Sequence, residues 1–141
     1  MSDGKVFLDT NVLLYMYSGP PEKRMRARQI FEMYSLRRRA LVSTQVIQEF
    51  YAAGLRKLGM PRADILAAAT DLLAGPLIVI QASHIAAAFR HEEQHKISFW
   101  DALIIAAAES GGAEILYTED LNDGQSYGGV LVRNPFRDAI Q

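Results

Sequence analysis

Val6-Phe7-Leu8-Asp9-Thr10-Asn11 is the stretch on which the reading of this chain turns. Three apolar residues of high β propensity predict a short strand, and a polar Asp-Thr-Asn step follows at once. Val12 to Tyr17 then predicts a short helix, which Ser18-Gly19-Pro20-Pro21 breaks. In open parallel sheets ligands bind just beyond the carboxyl ends of strands, which is where Asp9 falls. Asp9 also suits a plainer part, the cap of the helix after it.

Outward from that stretch, strand and helix signals alternate. Pro21 opens a helix in which Met25, Ile30, Phe31, Met33 and Tyr34 form an apolar pattern with arginines between. Ala40-Leu41-Val42 predicts a second strand. Ser43 or Thr44 caps a helix carrying Val46, Ile47, Phe50, Tyr51, Leu55 and Leu58, which Gly59 stops. Pro61 starts another helix to about Ala74. Leu77-Ile78-Val79-Ile80 predicts a third strand, apolar throughout as a strand covered on both faces would be. Ser83 opens a helix to about His95. Ser98 opens the next, in which Ala102 to Ala108 is apolar all round and therefore buried. Glu114 to Tyr117 predicts a fourth strand, Thr118 to Gly129 a polar loop, and Val130-Leu131-Val132 a fifth strand. Helical stretches long enough for crossovers between strands predict an α/β fold. Its short, mainly parallel central sheet is flanked by helices, in one domain over residues 1–141.

Composition narrows the chemistry. The chain has 141 residues, is 50% apolar and 22% charged, and contains no cysteine. That excludes disulfides, thiolate zinc sites, iron–sulfur clusters and a cysteine nucleophile. Asp101 and Glu109 bound the longest apolar run, well short of the roughly 18 residues of a membrane span. The opening Met1-Ser2-Asp3-Gly4-Lys5 has no secretory signal pattern. A soluble, cytoplasmic protein is expected.

The net charge of −1 hides an asymmetry. Residues 22–62 hold ten basic and three acidic residues, so this stretch carries +7 and the remainder −8. The basic part is expected to attract a polyanion and the acidic part to hold cations, although lysines and arginines also serve simply to solvate helix faces.

Three groups of acids stand out. Asp9 follows the first strand; Glu119 and Asp120 follow the fourth, with Asp123 close behind. Asp101 heads the apolar helix, where Ser98-Phe-Trp-Asp101 has the spacing of a capping box. Such a cap fixes a carboxylate at the positive end of a helix. Glu49 is ambiguous, because on a helical wheel it lies beside Val46 and Ala53, which suits a solvated face. Converging carboxylates need a compensating charge, and a hard divalent cation supplies it. Such a centre activates water and stabilises in-line displacement at a phosphodiester, of RNA or DNA alike.

Val6-Phe-Leu-Asp9-Thr-Asn11, Gln48-Glu49-Phe50, Ser98-Phe-Trp-Asp101-Ala, Tyr117-Thr-Glu-Asp120-Leu-Asn-Asp123-Gly and Val132-Arg-Asn-Pro-Phe136 together resemble the PIN domain, in the family's order and over nearly the whole chain. The single-domain length resembles the VapC toxins of toxin–antitoxin pairs. The resemblance implies a three-layer fold and a Mg²⁺- or Mn²⁺-dependent endoribonuclease with one or two ions. It also implies a homodimer, inhibited by a small antitoxin. It maps the catalytic acids onto Asp9, Glu49, Asp101 and Asp120, with Asp9, Asp101 and Asp120 as metal ligands. Glu49 completes the site or assists proton removal. Asn11, Ser98 and Thr118 become polar supports, while Glu119 and Asp123 flank the fourth acid. Tyr15, Tyr17, Tyr51, Trp100 and Tyr127 are candidates for stacking on RNA bases, or else core residues.

Two other readings compete. A PIN-like fold acting only through protein contacts would need no metal. His91-Glu92-Glu93-Gln94-His95 matches the H-E-x-x-H pattern of zinc proteases, with Glu114 or Glu119 as a conceivable third ligand. Arg90 and Lys96 flank it, which suits a solvated final helical turn instead.

Overall fold

The computed structural model describes residues 4–137. Six strands form one sheet in the order β3-β2-β1-β4-β6-β5: β1 (Lys5–Leu8), β2 (Ala40–Ser43), β3 (Leu77–Ile78), β4 (Ala113–Tyr117), β5 (Ser126–Tyr127) and β6 (Val130–Arg133). All pairings are parallel except that of β5 with β6. The helices are α1 (Thr10–Tyr15), α2 (Pro21–Ser35), α3 (Thr44–Arg56), α4 (Arg62–Ala74), α5 (Ala82–His95) and α6 (Phe99–Ser110).

The chain moves outward from β1 through β2 to β3, then returns across the sheet to β4. Crossovers between parallel strands are right-handed, so this reversal places α1–α4 on one face and α5–α6 on the other. The central strands β1 and β2 are apolar because both faces are covered, whereas β3, expected to be covered on both faces, is a half-buried edge strand. Val6, Phe7, Leu8, Leu116 and Val132 are fully buried, as is every residue from Ala102 to Ala108 of α6.

The parallel α/β architecture is as the sequence predicts, with local differences. β3 is two residues, not four, because Val79 is exposed and pairs with nothing beyond Ser43. The loop expected over Thr118–Gly129 contains β5, where Tyr127 is buried against the core. Helix α5 is capped by Gln81 through His84 and not by Ser83. Its partner helix α6 starts at Ser98 as expected, whose hydroxyl accepts the Asp101 N–H at 3.1 Å.

Direction within α2 also divides the basic stretch. Arg37, Arg38 and Arg39 precede β2, and the Arg39 carbonyl accepts from Val6 N–H at the start of β1. They therefore sit at the amino end of the sheet, opposite Asp9. Lys23 and Arg26, near the start of α2, lie at the carboxyl end, where they bond Glu119 and the Pro135 carbonyl. The 15-residue helix, about 22 Å long, therefore separates these two groups of basic residues.

Candidate active site

The reversal of strand order falls between β1 and β4, and crevices for ligands open at such switch points. Leu8 and Tyr117 are in register at the ends of these strands, so Asp9 and Thr118 are the first residues beyond them. Asp9 caps α1 by accepting Thr10 N–H at 2.7 Å, and Thr118 Oγ1 donates to its other oxygen, also at 2.7 Å. The cap expected from sequence and the position at the crevice are thus one and the same arrangement.

Asp120 joins Asp9 through two shared partners. Its backbone N–H donates to Thr118 Oγ1 at 3.1 Å, and Asn11 Nδ2 donates to Asp120 Oδ2 at 3.0 Å. Asn11 Nδ2 also lies 3.3 Å from Thr118 Oγ1 and 3.5 Å from Asp9 Oδ2. The neighbouring acids are turned to other tasks. Glu119 accepts from Tyr15 OH at 2.8 Å and pairs with Lys23 at 3.1 Å. Asp123 accepts the Asn134 N–H at 2.9 Å and ties the loop to the end of β6.

Glu49 is not on a freely solvated face. Thr10 Oγ1 donates to it at 2.7 Å, and Gln45, one turn earlier on α3, donates at 3.4 Å. Gln45 also reaches the Trp100 carbonyl at 3.3 Å, linking α3 to the first turn of α6, where Asp101 stands. Thr10 and Gln45 are therefore site residues that the sequence reading passed over. Thr10 lay inside the decisive stretch, and Gln45 stands four residues before Glu49, a spacing that places two side chains on one helix face.

The acids act on one another. Burial pushes the Asp9 carboxyl up to about 7; its bonds from Thr118 and Thr10 oppose this, and the charges of Asp120 and Glu49 add to it. Burial also raises the Asp101 pKa, opposed by its hydrogen bond with Ser98 and reinforced by Asp120 and Glu49. Four carboxylates thus share one field. Among the described residues none of the four is paired with a cation.

The donor set fits a hard divalent ion, since it consists of carboxylate oxygens. Two buried amide oxygens at its edge, Asn11 Oδ1 and Gln45 Oε1, have no hydrogen-bond partner. The amide nitrogens of both residues are already spent on acceptors, so these two oxygens are the unsatisfied acceptors beside the carboxylates. Among the described residues no three ligating side chains close round an ion by themselves. Mg²⁺ is typically held by one or two protein carboxylates, with water and phosphate oxygens completing the shell. An apolar cavity of about 330 Å³, lined by Leu13, Phe31, Val42, Phe50 and Leu72 among others, has none of the four acids in its wall.

Among the aromatic candidates, Trp100 is 62% exposed beside Asp101, whereas Tyr127 is core. Tyr17 packs against Phe50, and Tyr51 lies under Arg62. The histidine pair is not a solvated turn. His91 bonds Glu109 of α6 at 3.1 Å and stacks on His95, which meets Tyr127 edge-on. Neither Glu114 nor Glu119 joins it in a metal-ligating group.

The PIN domain family model matches residues 6–122, and the chain belongs to the PIN domain family. A search of curated protein sequences finds no significant match. Several solved structures share the fold. A toxin–antitoxin complex from Klebsiella pneumoniae superposes with a TM-score of 0.70 at 20% identity, covering 94% of this chain and 98% of that one. DNA-bound VapBC from Salmonella typhimurium gives 0.68 at 17% identity, with the same coverages of 94% and 98%. VapC20 of Mycobacterium tuberculosis, a sarcin-ricin loop cleaving toxin, gives 0.67 at 19% identity, covering 82% of this chain and 90% of that one. No described helix is long and apolar enough to cross a membrane.

Proposed function

We propose that the chain is a divalent-metal-dependent endoribonuclease, a single PIN domain over residues 1–141, acting as the toxin of a toxin–antitoxin pair. The observation that carries this reading is the linkage of Asp9 to Asp120 through Thr118 and Asn11 at the switch point of the sheet, with Glu49 held by Thr10 and Asp101 coupled to Glu49 and Asp120, and with none of the four paired with a cation among the described residues. Family membership and the likeness to toxin–antitoxin structures support it.

In this reading Asp9, Asp101 and Asp120 hold one or two Mg²⁺ or Mn²⁺ ions. Bound there, the metal supplies positive charge at the scissile phosphate and makes water more acidic. Asn11 and Thr118 fix the positions of Asp9 and Asp120, and Ser98 fixes the helix turn that carries Asp101. Thr10 and Gln45 orient Glu49, which completes the metal site or takes a proton from the attacking water. The partners are an RNA substrate, a cognate antitoxin and a second copy of the chain, in the cytoplasm.

The test is incubation of inhibitor-free protein with a mixed RNA pool in Mg²⁺, Mn²⁺ or EDTA, with Asp101→Asn alongside. Discrete fragments that require metal and vanish in the variant support the reading. Cleavage that survives both EDTA and the substitution contradicts it.

A further inference from the structure

Helix α1 presents two site residues one turn apart. Asn11 holds Asp120, and Tyr15, four residues on, holds Glu119. Residues at this spacing share a helix face, with Cβ atoms roughly 5–6 Å apart. Whatever is attached to Glu119 is therefore one helical turn from the carboxylate centre, and what is attached is the ammonium of Lys23.

That ammonium is held from several sides. It donates to Glu119 Oε2 at 3.1 Å and to Tyr15 OH at 3.3 Å. It lies 4.5 Å from the centroid of the Tyr15 ring and 5.2 Å from that of Phe136, two rings packed edge to face. An ammonium has three donors, and these contacts use two. The Lys23 side chain remains 32% exposed, so the third donor can reach solvent. Arg26 lies three residues along the same face of α2 and bonds the carbonyl of Pro135, the residue before Phe136. The triple arginine 37–39 is at the far end of the sheet and cannot serve this crevice.

We propose that Lys23 is a substrate-binding residue of the ribonuclease, contacting an RNA phosphate next to the one that is cleaved. The inference rests on the ribonuclease reading above for the identity of its ligand. Glu119 and the Tyr15–Phe136 pair fix the ammonium at one place and keep it out of the neighbouring carboxylate centre, where it would compete with metal.

The experiment is fluorescence anisotropy of a short, labelled, single-stranded RNA of mixed sequence, titrated in EDTA over a series of salt concentrations. One lost phosphate contact to a single strand lowers the slope of log affinity against log salt by about 0.7. Lys23→Ala is expected to show that decrement and several-fold weaker binding at low salt, while Lys23→Arg keeps the wild-type slope. Arg90→Ala, an equal change of charge on exposed α5, is expected to leave the slope unmoved. A wild-type slope in Lys23→Ala, an equal fall in Arg90→Ala, or no RNA binding by the wild type overturns the proposal. Metal-dependent cleavage measured on the same preparations separates the two readings. A Lys23-dependent slope without cleavage leaves the phosphate contact standing and removes the nuclease, and cleavage with an unmoved slope does the reverse.

Discussion

Thr118 donates a 2.7 Å hydrogen bond to Asp9 across the junction where the order of strands reverses. The hydroxyl is fully buried and Asp9 is 5% exposed, so this bond sits in a medium where its loss is costly. It also opposes the burial that raises the Asp9 pKa. Thr118→Val keeps the shape and removes the donor. We expect a loss of about 1–3 kcal/mol in denaturant unfolding at neutral pH, and an Asp9 titration displaced further upward when followed by NMR.

The Asp9 titration has a signed consequence for stability. Its folded pKa of about 7 lies above the ordinary carboxylate value of 3.8. Between those values the folded state holds more protons than the unfolded state, so this group's contribution to stability falls as pH rises and levels off above about 7. In EDTA, wild type minus Asp9→Asn should show that decline, with an upper bound of about 4 kcal/mol. Divalent metal competes with the proton, so its stabilising effect on the wild type should grow over the same pH range. A flat difference between the two proteins from pH 4 to 8 would contradict the burial of this carboxyl.

Much of this was legible in the sequence. The strand before Asp9, the Ser98 cap before Asp101 and the buried run Ala102–Ala108 depend on local pattern, and local pattern is what a sequence displays. Glu49 was legible only through the family resemblance and not from its own helix, because a helical wheel describes one helix and the group that holds Glu49 is the Thr10 hydroxyl of another. The choice among Glu119, Asp120 and Asp123 was likewise hidden. Asn11 and Tyr15, one turn apart on α1, and the backbone of Asn134 give the three acids different partners, a tertiary arrangement that no local pattern displays. The antiparallel β5 is two residues long, too short for alternation to show.

Helices α3 and α4 meet where Gly54 faces Ile65. A Cβ at position 54 would overlap the Ile65 side chain, which is fully buried. Gly54→Ala should therefore cost about 1–3 kcal/mol, despite alanine's better helix propensity. Adding Ile65→Val should recover part of that loss, because it removes a methyl group from the crowded contact. Equilibrium unfolding in urea of the wild type and the two variants reads this directly.

The histidine pair should have no part in catalysis. His91 joins α5 to α6 through Glu109, and His95 packs on Tyr127. His91→Ala is expected to lower the melting temperature and leave metal-dependent cleavage at the wild-type rate. Stoichiometric zinc in the purified protein, absent from His91→Ala, would give the pair a chemical role instead.

The central claim is that Asp9, Glu49, Asp101 and Asp120 form one metal-dependent centre from which Glu119 and Asp123 are excluded. The direct measurement is the rate of RNA cleavage in saturating Mn²⁺ by Asp9→Asn, Glu49→Gln, Asp101→Asn, Asp120→Asn, Glu119→Gln and Asp123→Asn, each checked for its fold by circular dichroism. The account predicts losses of at least about a hundredfold, the scale of a removed electrostatic or acid–base group, in each of the first four. It predicts a rate within about tenfold of wild type for Asp123→Asn, whose partner is the backbone of Asn134, and a smaller loss than in those four for Glu119→Gln, which only positions Lys23. Wild-type cleavage by Asp120→Asn, or loss of cleavage in Asp123→Asn with its fold intact, would contradict it.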